Sequence, residues 1–376
     1  MNLDGRATLR CMRRGSTENS GASSRAPSLA GMHAQNRGKQ VPTLEQVAAR
    51  AGVSRATASR VLRGSQVSQA SRDAVTEAAT ALAYSPNRAA RSLVTGRSDS
   101  IAFLVAETED RMFSDPFFLG MLRSTQAALA AAGQQLVFTM ASSEAEQARF
   151  VHYAAAGHVD GVLLLSLHAG DSLACKLEAA GIPTMLAGRP LSSTDSLYYV
   201  DSDNVAGARM ATELLIARGC RRIAFIGGPT DMSVGLDRRQ GFRDAMSAEP
   251  AGEALAKPGQ LVATGDFTVA GGARAMRELL AREPALDGVF AASDLMALGA
   301  LHVLQANNRT VPQDVALIGF DDVADAALAH PSLSTVRQPI AALGRTMSER
   351  LLARIAGADP PRSSVLPVEL VRRQSA

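Results

Sequence analysis

A chain of 376 residues, 46% of them hydrophobic, has room for two or three domains and can bury a large core. No run of about 18 uninterrupted apolar residues occurs, the arginine-bearing N-terminus lacks the apolar core of a signal peptide, and Cys11, Cys175 and Cys220 are too scattered for a disulfide framework or a Cys-rich metal site, so neither a membrane span nor export is expected and a reduced cytoplasm fits. The formal charge of +3 conceals an asymmetry: residues 1–40 hold seven Lys/Arg against two Asp/Glu and residues 41–97 eight against three, so the remainder is net acidic, as suits a protein whose head meets phosphates; a merely solvated basic surface is the plain alternative.

In chain order, residues 1–40 are rich in Ser, Gly, Arg and Asn without periodicity and are expected to be a disordered tail. The tail is a dispensable extension, or one created by a start assigned upstream of Met32, unless its arginines add nonspecific DNA affinity. Thr43, with Gln46 three residues on, has the form of a capping box, and Val47, Ala48 and Ala51 share one face of the helix that follows. Gly52 ends that helix, small Ala48 lets a second one approach closely, and Ser54 caps it. Ala58, Val61 and Leu62 point inward, which leaves Arg55, Ala56, Thr57, Ser59 and Arg60 where a helix in a major groove meets base edges and phosphates. Two amphipathic helices around a glycine also occur in bundles without a DNA role. Ser68 caps a third helix over about 69–83, with Val75, Ala78, Ala79 and Leu82 at helical spacing. Tyr84-Ser85-Pro86-Asn87 breaks it, and the stretch to Gly96 is helix-prone without an apolar stripe, so it can fold on DNA.

The succession of Thr-Leu-x-x-Val-Ala-x-x-Ala-Gly-Val-Ser, a Ser-capped helix, Tyr-x-Pro-Asn and Ala-Arg-Ser-Leu-x-Thr-Gly, dense over about 55 residues, resembles the headpiece and hinge of the lactose-repressor (LacI/GalR) family. The resemblance implies base reading by Arg55, Ala56 and Arg60, and contacts to the DNA backbone or headpiece orientation by Thr57, Ser59, Tyr84 and Asn87; Thr43, Ser54 and Arg88 are further candidate DNA-binding residues. It makes Leu93 a wedge between central base pairs with Ala90 packed nearby, a step that an apolar side chain achieves for a few kcal/mol. A linker leucine packed on its own domain is the alternative. Ala58 and Arg63 depart from the commoner valine and asparagine, and Arg63 adds a candidate phosphate or base contact that puts transfer of a known operator sequence in doubt.

From Ser100 the pattern alternates. Strand-like runs at 101–105, 136–138, 162–165, 223–226, 289–292 and 315–318 are separated by helical stretches near 118–132, 144–156, 203–218, 237–247, 268–282 and 294–306. Continuous apolar strands between helices predict an α/β body of mostly parallel sheets. About ten strands suit two subdomains better than one wide sheet. The resemblance implies a periplasmic-binding-protein-like body crossed three times, near Val200, Gln338 and Val365. The expected plan is a tail (1–40), a three-helix helix-turn-helix headpiece (41–85), a hinge helix (86–97) and a ligand-binding and dimerisation body (98–376), with an N-subdomain of 98–199 and 340–364 and a C-subdomain of 200–338 and 365–376.

Ligands of open α/β sheets sit beyond the C-terminal strand ends, here 107–118, 166–168, 188–190, 293–294 and 320–322. Polar groups there, with Phe117, Phe118, Phe267 and Phe320 nearby, suit the hydroxyls and C–H face of a sugar. Ser166 and Arg189 stand at such ends, although Arg189 also suits a partner for surface acids. Family motifs place effector contacts at Arg238, Phe267, Ser293 and Asp321, with Gln338 at a crossing. Asp201 fits a hinge or a ligand contact, Asp294 a helix N-cap and Asp322 a structural turn.

The six histidines show no metal spacing, and Gly227-Gly228-Pro229 has neither a Walker lysine nor a dinucleotide fingerprint, so no metal, cofactor or enzyme activity is expected. The chain reads as a cytoplasmic, nucleoid-associated, homodimeric repressor of carbohydrate-use genes that binds double-stranded operator DNA and is released by a small-molecule sugar effector. The rivals are a corepressor-dependent regulator of the same architecture and a sugar-binding receptor without a DNA role. The absence of a heptad tail favours a dimer.

Overall fold

A computed structural model describes residues 42–62, 65–84, 96–166, 168–191, 196–248 and 260–376. Contacts divide the chain into a unit up to Pro86 and a unit from Asn87.

Among the described residues the first unit holds three helices, α1 (Leu44–Arg50), α2 (Arg55–Leu62) and α3 (Gln69–Ala81). Each start has a local cause. Thr43 and Gln46 form a reciprocal capping box, the Thr57 N–H donates to Ser54 Oγ at 3.1 Å, and Ser68 caps α3 through the Ser71 N–H. Gly52 takes φ +67°, a conformation that costs an L-residue about 1 kcal/mol or more, and so lets α1 turn into α2. Val47, Ala48, Ala58, Val75 and Ala78 make the core, with Val61, Leu62, Leu82 and Tyr84 packed against it.

Among the described residues the second unit has two parallel sheets. One is ordered β11-β5-β4-β3-β1-β2, from β1 (Ser100–Val105), β2 (Gln135–Met140), β3 (Gly161–Leu165), β4 (Thr184–Ala187), β5 (Tyr198–Ser202) and β11 (Ser363–Leu366). Alternate residues of β1 serve opposite faces. Ile101, Phe103 and Val105 meet α5 (Pro116–Ala131) and α13 (Ile340–Ile355), while Ala102 and Leu104 meet α6 (Glu144–Tyr153) and α7 (Leu173–Ala179). The short α4 (Glu109–Ser114) leads from β1 into α5.

The other sheet is ordered β7-β6-β8-β9, from β6 (Ile223–Gly227), β7 (Val262–Thr264), β8 (Gly288–Ala291) and β9 (Ala316–Ile318). An antiparallel pair, β10 (Thr335–Arg337) and β12 (Glu369–Val371), joins it through bridges of Ile318 to Ser334 and Asp321 to Arg337. Around this sheet pack α8 (Asn204–Ala217) on α9 (Ser233–Ala248) and α10 (Val269–Arg282) on α11 (Asp294–Ala306), with the short α12 (Ala324–Leu328) beyond β9. Both helix pairs approach at glycine: a Cβ on Gly241 would lie 2.1 Å from the Val205 carbonyl oxygen, and one on Gly272 2.2 Å from that of Met296.

The chain passes between subdomains after β5, after β10 and after β11. Two of these crossings fall later than expected. Val200 to Ser202 pair within the first sheet, and Asp203, which caps α8, starts the first crossing; Val365 and Leu366 also stay in that sheet.

Candidate functional site

The exposed face of α2 presents Arg55, Ala56 and Arg60, with Thr57 and Ser59 half-buried beside them. Arg55 is within 2.9 Å of Glu45, an exposed pair that phosphate or base contact can displace at little cost. Ser54 and Thr57 share a 2.9 Å hydroxyl contact, and Thr43 is engaged in its capping box. Tyr84 packs on the three-helix core. The expectations for Arg63, Asn87, Arg88, Ala90 and Leu93 lie outside the described residues.

A cavity that opens to solvent lies between the two sheets of the body and is lined by residues of both. It brings together Phe117, Phe118, Ser166, Arg189, Asp201, Arg238, Phe267, Asp321 and Gln338. Ser293 is the exception. Extended at φ −156°, it is the N-cap of α11, its hydroxyl accepts the Met296 N–H at 3.2 Å, and it does not line the cavity. Asp294, expected to be that cap, is the first helical residue instead: its buried carboxylate accepts the Val323 N–H at 2.9 Å and the Thr335 hydroxyl at 2.6 Å.

Arg238, 3% exposed, is the hub. Its Nε donates to Asn204 Oδ1 at 2.9 Å, and its Nη1 donates to the Ala292 carbonyl at 2.5 Å and to Asp321 Oδ1 at 3.3 Å. The guanidinium lies 3.6 Å from the Phe320 ring centroid. Burial pulls its pKa down, against the pull of Asp321, but an arginine keeps its charge at any ordinary pH. Asp321 occupies φ +118° and also accepts the Gln338 amide at 2.8 Å; Gln338 in turn takes the Ser202 hydroxyl at 2.7 Å. Burial raises the Asp321 carboxyl to about 7, with Arg238 opposing and Asp115 reinforcing the rise. Asp322, at φ +60°, is held by Arg337 and Arg373, both at 2.6 Å, which fixes the strained pair.

Asp201 is a fastening of the first crossing. Its carboxylate accepts the N–H groups of Arg189 (2.9 Å) and Ser202 (2.8 Å) and the Asn204 amide (3.0 Å). The Arg189 side chain pairs with Asp237 of α9 at 2.7 Å, so it lines the cleft and also has the acidic partner considered for it. Phe267, at φ +61°, lays its ring where a Cβ on Gly228 would be, 2.2 Å away, which gives Gly228 its physical reason. Ser166 donates its hydroxyl to Glu107 at 2.6 Å.

Among the cavity residues that sequence reasoning did not single out are Asp115, Arg111 and Asn204. Asp115 caps α5 through the Phe117 N–H at 3.0 Å, and the Asp-Pro-Phe-Phe run was its available signal. Arg111 lies over Phe118 and Phe267, and Asn204 bridges Arg238 to Asp201. Among the described residues no group of three or more His, Cys, Asp or Glu could hold a metal ion, and no helix is long and apolar enough to cross a membrane.

A glycine-turned helix pair with an exposed reading face, followed by a two-sheet body around a polar and aromatic cleft, defines a ligand-responsive DNA-binding regulator. The comparisons agree. Residues 43–87 match the bacterial regulatory proteins of the lacI family, and residues 212–376 match the periplasmic binding protein-like domain. The HTH-type transcriptional regulator CelR of Thermobifida fusca is 49% identical over 337 residues, covering 89% of this chain and 98% of that one. A solved transcriptional regulator CelR–cellobiose complex superposes with a TM-score of 0.71 at 47% identity, over 89% of this chain and all of that chain. The lac repressor dimer bound to operator and an anti-inducer gives 0.75 at 26% identity, over 89% and 98%. The chain belongs to the LacI family of bacterial transcriptional regulators, and it is a regulator rather than an enzyme.

Proposed function

We propose that the chain is a homodimeric, cytoplasmic repressor of carbohydrate-use genes, released from a palindromic operator by a neutral sugar of the cellobiose kind. The observation that carries this reading is the Arg238–Asp321–Gln338 cluster facing Phe117 and Phe267 across one cavity. A charged donor and a carboxylate side by side match vicinal hydroxyls, and the rings suit the apolar face of a pyranose. The cellobiose-bound relative, 47% identical, supports the same ligand class. One three-helix headpiece reads only a few base pairs, so a two-fold operator needs two copies, with Arg55, Ala56 and Arg60 reading bases and Leu93 wedging the centre. Sugar shifts one subdomain against the other and misaligns the two hinge segments, and a differential affinity of about 1–3 kcal/mol is enough to couple the sites.

Fluorescence anisotropy of the full-length protein on DNA from upstream of its own gene, with and without cellobiose and other mono- and disaccharides, tests this. Weakening of a salt-sensitive complex by one sugar is the expected result. A complex formed only when a small metabolite is added establishes a corepressor instead, and no specific complex under any condition refutes the repressor.

A further inference from the structure

Outside the cavity, contacts between the two subdomains converge on one imidazole. His168 follows β3 in the first subdomain. Its Nδ1 lies 2.8 Å from Asp231 Oδ2, in the loop after β6 of the second, and its Nε2 lies 3.2 Å from Glu107 Oε1, just after β1. Beside it the Ala169 N–H donates to the Asp231 carbonyl at 2.7 Å, a backbone bond across the same gap. Glu107 is buried and also takes the Ser166 hydroxyl and the Arg111 guanidinium. Arg111 Nη1 reaches the Met232 sulfur at 3.6 Å, and its guanidinium lies 5.8 Å from the Phe118 ring and 5.1 Å from Phe267, one aromatic from each subdomain. Neither His168 nor Asp231 lines the cavity. An imidazolium donates through both nitrogens and so satisfies both carboxylates. A neutral ring has one donor and turns a lone pair on the other acid.

We propose that protonated His168 is a clasp that holds the two subdomains closed over the effector and sets how long the effector stays bound, without touching it. The inference about residence rests on reading the cleft as the effector site; the clasp itself does not. The charged groups facing the imidazole are Glu107 and Asp231, with Arg111 the cation on the far side of Glu107. The bond to Glu107, then that to Asp231, raises the imidazole to about 9 against its burial. The closed form therefore holds the proton more tightly than an open form near the ordinary value of about 6.5, so the clasp is complete below about 6.5 and is lost as pH rises through about 9. With His168 35% and Asp231 53% exposed, solvent screens part of the attraction, and an effect of about tenfold is expected.

The Ala169 amide reads the clasp directly. In the ligand-free full-length protein its hydrogen exchange, corrected for the intrinsic pH dependence, should lose about tenfold in protection between about pH 6.5 and 9.5. His168→Gln should be less protected by about that factor at pH 6.5 and lack this slope, whereas His168→Lys, which keeps a cation, should restore protection. Because the buried cleft carboxylates titrate in wild type and variant alike, the difference between the two profiles isolates His168. Asp231→Asn, a partly exposed loop change, guards against misfolding of the first variant and should act in the same direction. Ala169 protection unchanged in His168→Gln and Asp231→Asn, or an equal pH slope in all forms, overturns the clasp.

Cellobiose dissociation by stopped flow separates the two readings. About tenfold faster release from His168→Gln, with unaltered association, supports both. Ala169 protection that follows His168 in a protein that ignores cellobiose keeps the clasp and refutes that effector. Tight cellobiose binding with an indifferent Ala169 does the reverse.

Discussion

Arg238 can leave neither its carbonyl partner nor its carboxylate without stranding a buried polar group, so its charge does structural and recognition work together. Arg238→Met keeps the stem and removes the cation beside Asp321. We expect the variant to bind operator but not respond to sugar, and to lose on the order of 3 kcal/mol in denaturant unfolding, because an acid is left buried without its partner. Its neighbour gives a pH signature. Asp321 is raised to about 7 in the folded protein, so its contribution to stability is fullest below its ordinary range near 4 and is lost as pH rises through about 7. Thermal unfolding of Asp321→Asn against wild type, followed from about pH 4 to pH 8, should show the wild type losing its relative advantage toward neutrality. A constant difference across that range means the carboxyl is already ionised in the folded state at acid pH.

At the scale of helices, glycine decides how near Arg238 comes to its partners. Gly241 lies three residues beyond Arg238 on α9, where a Cβ would press on the Val205 carbonyl at 2.1 Å and on Ala208 at 2.8 Å. Gly241→Ala must part α8 from α9, which costs on the order of 1–3 kcal/mol as overpacking and displaces both Asn204 and Arg238. Sugar affinity should fall with stability, whereas operator affinity in the absence of sugar should change little. Isothermal titration beside operator binding checks this, and undiminished sugar affinity would show that the helix pair yields elsewhere. The cap of α11 teaches the same lesson of position: one residue separates Ser293, which caps the helix, from Asp294, whose carboxylate ties α11 to Val323 and Thr335.

For the molecule as a whole, the decisive quantity is where charge sits. The basic residues concentrate before residue 98, and the body beyond is net acidic, so affinity for DNA should be strongly salt-dependent while the body contributes repulsion. Arg60→Ala should cost about 1–3 kcal/mol on the specific operator and much less on random DNA, a contrast that anisotropy on both duplexes measures. Equal losses on both would reassign Arg60 from base reading to phosphate contact, and the salt slope would then fall by about one.

The sequence by itself determined what is local. The Thr43 capping box, the Gly52 turn and the Ser68 cap are read directly because their partners lie within four residues, and the apolar strands at 101–105 and 223–226 declare buried parallel sheets by composition. Resemblance to family motifs also pointed to Arg238, Phe267 and Asp321, which line one cavity. Only the tertiary structure decided contacts whose partners are distant along the chain. His168 meets Asp231 from 63 residues away, Arg111 reaches Met232 from 121, and nothing in local pattern links them. The crossing points moved by two or three residues for the same reason: a strand ends where its neighbour in the sheet ends, which β4 and β11 settle for β5. Ser293 caps its own helix instead of lining the cavity because its hydroxyl is taken up by the Met296 N–H, a contact that motif matching does not reveal.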